Sequence, residues 1–175
     1  GGQTPTEVVM SAVILNGRDL ASKLRGELAT RAKALTDGGV QPCLAVLIAG
    51  DDPASHVYVR NKHRAAEKAG VASKDLRFPE DVAIETLEAA VDELNADDSV
   101  HGILIQLPLP SGLDPDRAQA LLERVDPSKD VDGFHPANLG ALVAGRPRFV
   151  ACTPSGCMKL IAESGVALSG KRAVV

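Results

Sequence analysis

The segment that decides the fold is C-L-A-V-L-I-A-G, residues 43–50, a continuous apolar run that closes on a glycine. A run without polar alternation is typical of a strand covered on both faces, as the strands of a parallel sheet are. A second buried strand is predicted within H-G-I-L-I-Q-L-P-L-P, residues 101–110, where Pro108 and Pro110 stop it. A weaker strand is predicted at 75–79.

Helical patterns occupy the chain around these strands. The first begins at Asn16, a candidate N-cap, repeats leucine at helical spacing and ends at Gly38-Gly39. Further helices are predicted from the turn after residue 50 to Gly70, and at 84–97, 114–125 and 152–165. This alternation of strands and helices predicts an α/β domain with a mainly parallel sheet flanked by helices.

Composition limits the classes of function. The chain has 175 residues, of which 45% are hydrophobic, enough for one domain with a substantial core. A net charge of −4 and only 2% aromatic residues argue against nucleic-acid binding, which relies on basic surfaces and stacking rings. No apolar run approaches the ~20 residues of a membrane span, so we expect no membrane partner.

The cysteines and the chain ends suggest a cellular setting. Cys43, Cys152 and Cys157 form an odd, sparse set, which favours a reducing cytoplasm over a disulfide framework, and ordinary thiols over a zinc site. Residues 1–10 lack the features of a signal peptide, and we expect a disordered tail. Residues 170–175, G-K-R-A-V-V, look like the opening of a strand, so we expect the natural chain to continue.

Polar residues follow the predicted strands where ligands bind in open α/β sheets, beyond the carboxyl ends of the strands. Tyr58 and Lys62 share one helical face, Gln106 ends the second apolar run, and Asp132 lies in a later loop. Each also has a plain structural interpretation. The ring can pack on the sheet, the lysine can be solvated, the amide can cap loop groups, and Asp130 and Asp132 can be turn residues.

Four segments, in this order and spacing, resemble the methylenetetrahydrofolate dehydrogenase/cyclohydrolase family. They are Y-V-R-N-K (58–62), G-I-L-I-Q-L-P-L-P (102–110), K-D-V-D-G-F-H-P-x-N-x-G (129–140) and C-T-P-S-G (152–156). The resemblance runs from about Val13 to the C-terminus.

The resemblance implies a bifunctional enzyme of one-carbon metabolism that supplies purine biosynthesis. Such an enzyme oxidises 5,10-methylenetetrahydrofolate to the 5,10-methenyl form with NADP, then hydrolyses that product to 10-formyltetrahydrofolate. It implies a folate-binding catalytic domain at 11–150, a connecting helix at 151–169 and the first strand of an NADP-binding Rossmann-type domain at 170–175. It also implies a homodimer.

The resemblance also assigns site residues. Lys62 would be the catalytic lysine and Gln106 the amide that hydrogen-bonds it. Tyr58 would be a catalytic residue whose ring lines the folate pocket, and Asp132 would bind the ring nitrogens of the pterin. The remaining substrate-binding residues would be Ser55, Val59, Ile105, Leu107 and Pro108. A lysine can act as a general base only if its pKa falls from ~10.4 toward neutrality, as burial without a counter-ion achieves.

Other interpretations remain open. Tyr-x-x-x-Lys is also the catalytic pair of short-chain dehydrogenases, but there it follows a nucleotide-binding half, and only 57 residues precede Tyr58 here. No G-x-G-x-x-G fingerprint occurs in the sequence, so the NADP site would lie beyond residue 175 and these residues by themselves would turn over poorly. A non-catalytic folate-binding module and a monofunctional cyclohydrolase are the remaining alternatives.

Overall fold

The computed structural model describes residues 14–51, 53–172 and 174, and the side chains of residues 53–58 lie outside that description. The tail predicted at 1–10 therefore lies outside the described residues. Within the described part, six helices and three strands follow one another. In chain order they are α1 (Gly17–Asp37), β1 (Cys43–Ala49), α2 (Pro53–Lys68), β2 (Ala72–Phe78), α3 (Ile84–Ala96), β3 (Gly102–Gln106), α4 (Pro115–Glu123), α5 (Pro136–Val143) and α6 (Cys152–Glu163).

The three strands form a parallel sheet in the order β2-β1-β3, which confirms the predicted fold class. β1 is the central strand, with Cys43 opposite Ala72 on one side and Leu44 opposite Gly102 on the other. Both edges of β1 are hydrogen-bonded and both faces are covered. This explains why its sequence contains no polar residue.

Alternate residues of β1 enter two separate cores. Leu47, fully buried, belongs to the larger core beneath α3 and α4, together with Leu87 of α3 and Leu121 of α4. Ile48 belongs to the smaller core on the opposite face, where Val59 of α2 packs. Helix α2 therefore covers one face of the sheet, and α3 and α4 cover the other. Right-handed crossovers require this arrangement when the chain passes from β1 to β2 on one side and then to β3 on the other.

Ion pairs join α4 to α3 across the surface of the larger core. Arg117 binds the carboxylates of Glu85 and Glu88, the latter at 2.8 Å, and Arg124 binds Asp92 at 2.6 Å. These side chains are partly exposed, and such pairs contribute about 0–1 kcal/mol each. The buried leucines are therefore the larger source of cohesion between the two helices.

The sequence predictions differ from the structure at two places. β2 begins at Ala72, before the predicted start at 75, because an edge strand carrying Lys74, Asp75 and Arg77 lacks a continuous apolar signal. Helix α5 was not predicted, since its short P-A-N-L-G-A-L-V sequence has neither charge nor clear periodicity. Residues 171, 172 and 174 are not in a strand, and 173 and 175 lie outside the described residues, so the strand at 170–175 stays a prediction.

Across the part of the chain that the structure describes, no helix combines the length and the apolar character that a membrane crossing needs.

The central position of Leu47 gives the first prediction. Leu47→Ala should lower the free energy of unfolding by about 2–5 kcal/mol, because it opens a cavity between β1 and the α3 helix. Leu35→Ala is the control, since Leu35 on α1 is 52% exposed and should change stability by about 0.5 kcal/mol or less. Urea denaturation followed by circular dichroism measures both, and equal losses would contradict the assigned core.

Candidate functional site

A pocket of about 310 Å³ opens at the carboxyl end of β3, beside the carboxyl end of β1. The chain leaves β1 for β2 on one side and later reaches β3 on the other, so the crossovers diverge here. Such a switch point leaves a crevice between neighbouring strands in which α/β proteins bind ligands. Four parts of the chain supply the lining, which consists of Lys62, Ile105, Gln106, Leu107, Asp132, Phe134, Ala151, Cys152, Thr153 and Pro154.

Lys62 enters the pocket from the middle of α2 and is partly buried. Burial lowers the pKa of Lys62 below the ordinary 10.5, because it disfavours the charged ammonium. The charge of Asp132 acts in the opposite direction on the same amine, as does that of Cys152 when its thiol is ionised. The site therefore holds an amine that loses its proton more readily than a solvated lysine does.

Asp132 and Cys152 respond to the same environment. Burial raises the pKa of Asp132, and Lys62 partly offsets that increase. Burial likewise raises the pKa of the Cys152 thiol, and the charge of Asp132 raises it further. The three groups are thus electrostatically coupled, and together they supply a proton acceptor, an anionic hydrogen-bond acceptor and a neutral thiol.

Gln106 is the last residue of β3. Its Nε2 donates to the carbonyl oxygen of Leu107 at 2.7 Å, as expected for an amide that serves a loop. Its Oε1 is buried and has no hydrogen-bond partner among the described residues. A buried acceptor left unpaired costs about 1–3 kcal/mol, so this oxygen is suited to accept a hydrogen from a group that enters the pocket.

The loop that carries Asp132 is fixed at both ends. The Lys129 ammonium donates to backbone carbonyls at the end of α3, at distances of 2.8–3.0 Å from Leu94, Asn95 and Asp97. Gly133 has a φ of +69°, and a Cβ there would lie 3.2 Å from the Ala151 nitrogen. Asp132 and Gly133 therefore lie at a turn, which the plain structural interpretation of Asp132 allowed, and this turn packs against the segment leading to Cys152.

Most of the predicted site residues meet in the pocket. Its lining includes Lys62, Ile105, Gln106, Leu107 and Asp132. Two residues fall elsewhere, because the Val59 side chain is fully buried in the smaller core and Pro108 is exposed outside the described lining. The side chains of Ser55 and Tyr58 lie outside the described residues; their backbones are on α2, with Tyr58 one turn before Lys62.

Phe134 and the run from Ala151 to Pro154 also line the pocket, although no role was predicted for them. The signal was present, since these residues lie in or beside the F-H-P and C-T-P-S-G parts of the quoted segments. Cys152 was interpreted as an ordinary small side chain, but it stands beside Lys62 and Asp132. Among the described residues, no group of three or more histidine, cysteine or acidic side chains is arranged to hold a metal ion.

Residues 15–132 match the family model for tetrahydrofolate dehydrogenase/cyclohydrolase, catalytic domain. The chain is 52% identical over 166 residues to the "Bifunctional protein FolD" of Azoarcus sp. (strain BH72), covering 95% of this chain and 56% of that protein. It resembles the crystal structure of the bifunctional FolD methylenetetrahydrofolate dehydrogenase/cyclohydrolase from Campylobacter jejuni, with a TM-score of 0.87 and 42% identity, covering 92% of this chain and 56% of that one.

A second solved structure is also similar to this chain in fold and sequence. The N5,N10-methylenetetrahydrofolate dehydrogenase-cyclohydrolase of Trypanosoma brucei, complexed with NADP cofactor and an inhibitor, has a TM-score of 0.85 and 37% identity. That match covers 92% of this chain and 55% of the other. The present chain thus spans a little over half the length of these relatives.

The coupling between Lys62 and Asp132 gives the second prediction. Asp132→Asn should lower the pKa of Lys62 further, because it removes the negative charge that opposes the effect of burial. Titration of the lysine ε-carbon signals by NMR measures this change. Asp98→Asn is the control, since exposed Asp98 lies in the turn before β3, at the end of the strand opposite the pocket. An unchanged or higher pKa in Asp132→Asn would contradict the coupling.

Proposed function

Because the chain belongs to the tetrahydrofolate dehydrogenase/cyclohydrolase family, we propose that it forms the folate-binding catalytic part of a bifunctional enzyme of one-carbon metabolism. The complete enzyme oxidises 5,10-methylenetetrahydrofolate to the 5,10-methenyl form and hydrolyses that product to 10-formyltetrahydrofolate. The observation that carries the proposal is the pocket in which Lys62, Gln106 and Asp132, from three separate segments, line one edge of the sheet.

The hydrolytic step needs a base, which we assign to Lys62. The methenyl carbon is cationic and electrophilic, and water that attacks it must lose a proton. An amine accepts that proton only in its neutral form, and burial lowers the pKa of Lys62 in the required direction. The bond between the former methenyl carbon and N5 then breaks as the lysine ammonium gives its proton to N5. The hydroxyl on that carbon loses its proton to the neutral lysine, and from there to solvent, which leaves the formyl group on N10 and releases one proton overall.

Gln106 is assigned the orientation of that amine. Its buried Oε1 is an acceptor at the pocket that can take a hydrogen from the lysine or from the folate. A neutral amide orients the amine without the strong increase in lysine pKa that a carboxylate in the same place would cause.

Asp132 and the apolar lining are assigned to folate binding. A carboxylate can accept two parallel hydrogen bonds from the aminopyrimidine edge of a pterin. Leu107 and Phe134 offer apolar contact area to the flat ring system in the same pocket. We assign a further wall to Tyr58, whose backbone lies one turn before Lys62 on α2, with Ser55 earlier on that helix.

The part of the chain that the structure describes does not fit a dinucleotide site. The sequence between β1 and α2 reads G-D-D-P, with two acidic residues at the point in the chain where a pyrophosphate-binding turn would have glycines. We therefore assign NADP to a Rossmann-type domain that begins near residues 170–175, after the folate domain at 11–150 and the connecting helix. If that domain lacks a nucleotide site, the monofunctional cyclohydrolase becomes the favoured function.

A cytoplasmic location and a homodimeric state complete the proposal. The three thiols are free, as in a reducing compartment, and the dimer rests on the family resemblance alone.

Replacing the proposed base gives the third prediction. In the complete protein, Lys62→Met should abolish hydrolysis of 5,10-methenyltetrahydrofolate and leave tetrahydrofolate affinity within a small factor, because methionine keeps the apolar stem and removes the amine. Loss of the methenyl absorbance measures hydrolysis, and calorimetry measures affinity. Lys68→Met, at the exposed end of α2, is the control and should keep full activity. If Lys62→Met still hydrolyses 5,10-methenyltetrahydrofolate, the assignment of Lys62 as the base is wrong.

The fourth prediction concerns Asp132. Asp132→Ala in the complete protein should weaken tetrahydrofolate binding by about tenfold or more, since a charge-assisted hydrogen bond contributes about 1.5–3 kcal/mol. The circular dichroism spectrum should stay unchanged, because Asp132 lines the pocket and is not part of either core. Unchanged affinity by calorimetry would remove Asp132 from the folate site.

A further inference from the structure

Two buried polar residues flank Asp132 in the chain, one in the same loop and one in the following helix α5. Asp130 is 6% exposed and Asn138 is 3% exposed, and neither belongs to the described lining of the 310 Å³ pocket. We propose that the Asp130–Asn138 pair is a positioning device, which sets the orientation of Asp132 and thereby the affinity for the folate. This inference rests on the proposed function of the pocket.

Asp130 is the centre of the hydrogen bonds in this loop. Its Oδ1 accepts from the backbone nitrogen of Gly133 at 3.0 Å. Its Oδ2 accepts from the backbone nitrogen of His135 at 2.9 Å and from Nδ2 of Asn138 at 2.9 Å. A buried carboxylate needs such donors, because an unpaired charge in the interior is strongly unfavourable. The donors in turn fix the chain on the far side of Asp132.

Asn138 joins this loop to the segment before it. Its Nδ2 donates both to Asp130 and to the carbonyl oxygen of Pro127, the latter at 3.0 Å. Asn138 lies in the first turn of α5, so the helix anchors the start and the middle of the loop at once. Removing the amide would leave the Asp130 carboxylate with one donor fewer in a buried place.

The geometry of the loop transmits this anchoring to Asp132. Only Val131 and Asp132 separate Asp130 from Gly133, whose amide the Asp130 side chain holds. Val131 packs against the smaller core and lies so close to Gly102 of β3 that a Cβ there would be 2.5 Å from its Cγ1. A rotation of the Asp130 carboxylate therefore moves the backbone of Asp132, whose side chain lines the pocket.

A double-mutant cycle in the complete protein tests this inference, with tetrahydrofolate as the calorimetric probe. Asn138→Ala should weaken tetrahydrofolate binding roughly 5- to 50-fold, because the Asp132 carboxylate loses its fixed orientation. In an Asp132→Ala background the same change should have no further effect. Additive losses in the double variant would overturn the inference, since Asn138 would then act independently of Asp132.

Catalysis provides a second measurement. If Asn138 acts only through a binding residue, Asn138→Ala should raise the KM for 5,10-methenyltetrahydrofolate and leave kcat nearly unchanged. A kcat that falls as much as kcat/KM would overturn the positioning role.

Loss of stability has to be separated from loss of positioning. Leu121→Ala is the matched control, because Leu121 is 1% exposed in the larger core and takes no part in the hydrogen bonds of Asp130 and Asn138 described above. It should lower stability and leave affinity unchanged at a temperature where both variants are folded; equal weakening in both would overturn the inference. If Asn138→Ala does not fold, Asp130→Asn replaces it in the cycle, as it keeps the shape of the side chain and turns an acceptor into a donor.

The cycle also distinguishes this inference from the proposed function. If Asp132→Ala does not weaken tetrahydrofolate binding, the proposed folate site and this inference both fail. If Asp132→Ala weakens binding and neither Asn138→Ala nor Asp130→Asn does, the folate site stands and only the positioning role is overturned.

Discussion

The structure depends on the burial of one strand. β1 is hydrogen-bonded on both edges and covered on both faces, so each of its side chains must be apolar and each neighbouring element must pack against it. With β1 in the centre, the chain has to pass to one side for β2 and return to the other side for β3. That reversal puts α2 and α3 on opposite faces and opens the crevice that holds the pocket.

The chemistry of the pocket follows from partial burial and from the balance of charges in it. Burial disfavours both the ammonium of Lys62 and the carboxylate of Asp132, and each charge partly offsets the penalty on the other. In the loop from 129 to 134, three polar side chains have different contacts. Lys129 binds the end of α3, Asp130 binds the backbone of its own loop, and Asp132 is directed to the pocket.

Much of the fold could be predicted because burial leaves a strong mark on sequence. The two apolar runs of β1 and β3 and the leucine spacing of α1 predicted their elements closely. β2 and α5 were placed late or not at all, because an edge strand and a short apolar helix lack such a pattern. For the site, the resemblance supplied candidate residues. It could not separate the side chain of Val59, buried in the core, from that of Lys62, which lines the pocket three positions later on the same helix.

The sequence by itself determined most of the strands and helices, the order in which they alternate and the polar residues that follow each strand. These features depend on local periodicity and on the need to bury apolar side chains. Only the tertiary structure decided which polar residues meet. Asp130 and Asp132 are two positions apart in one motif, yet the first is buried against Asn138 and the second lines the pocket with Cys152. That division depends on contacts between segments distant in sequence, which no local pattern encodes.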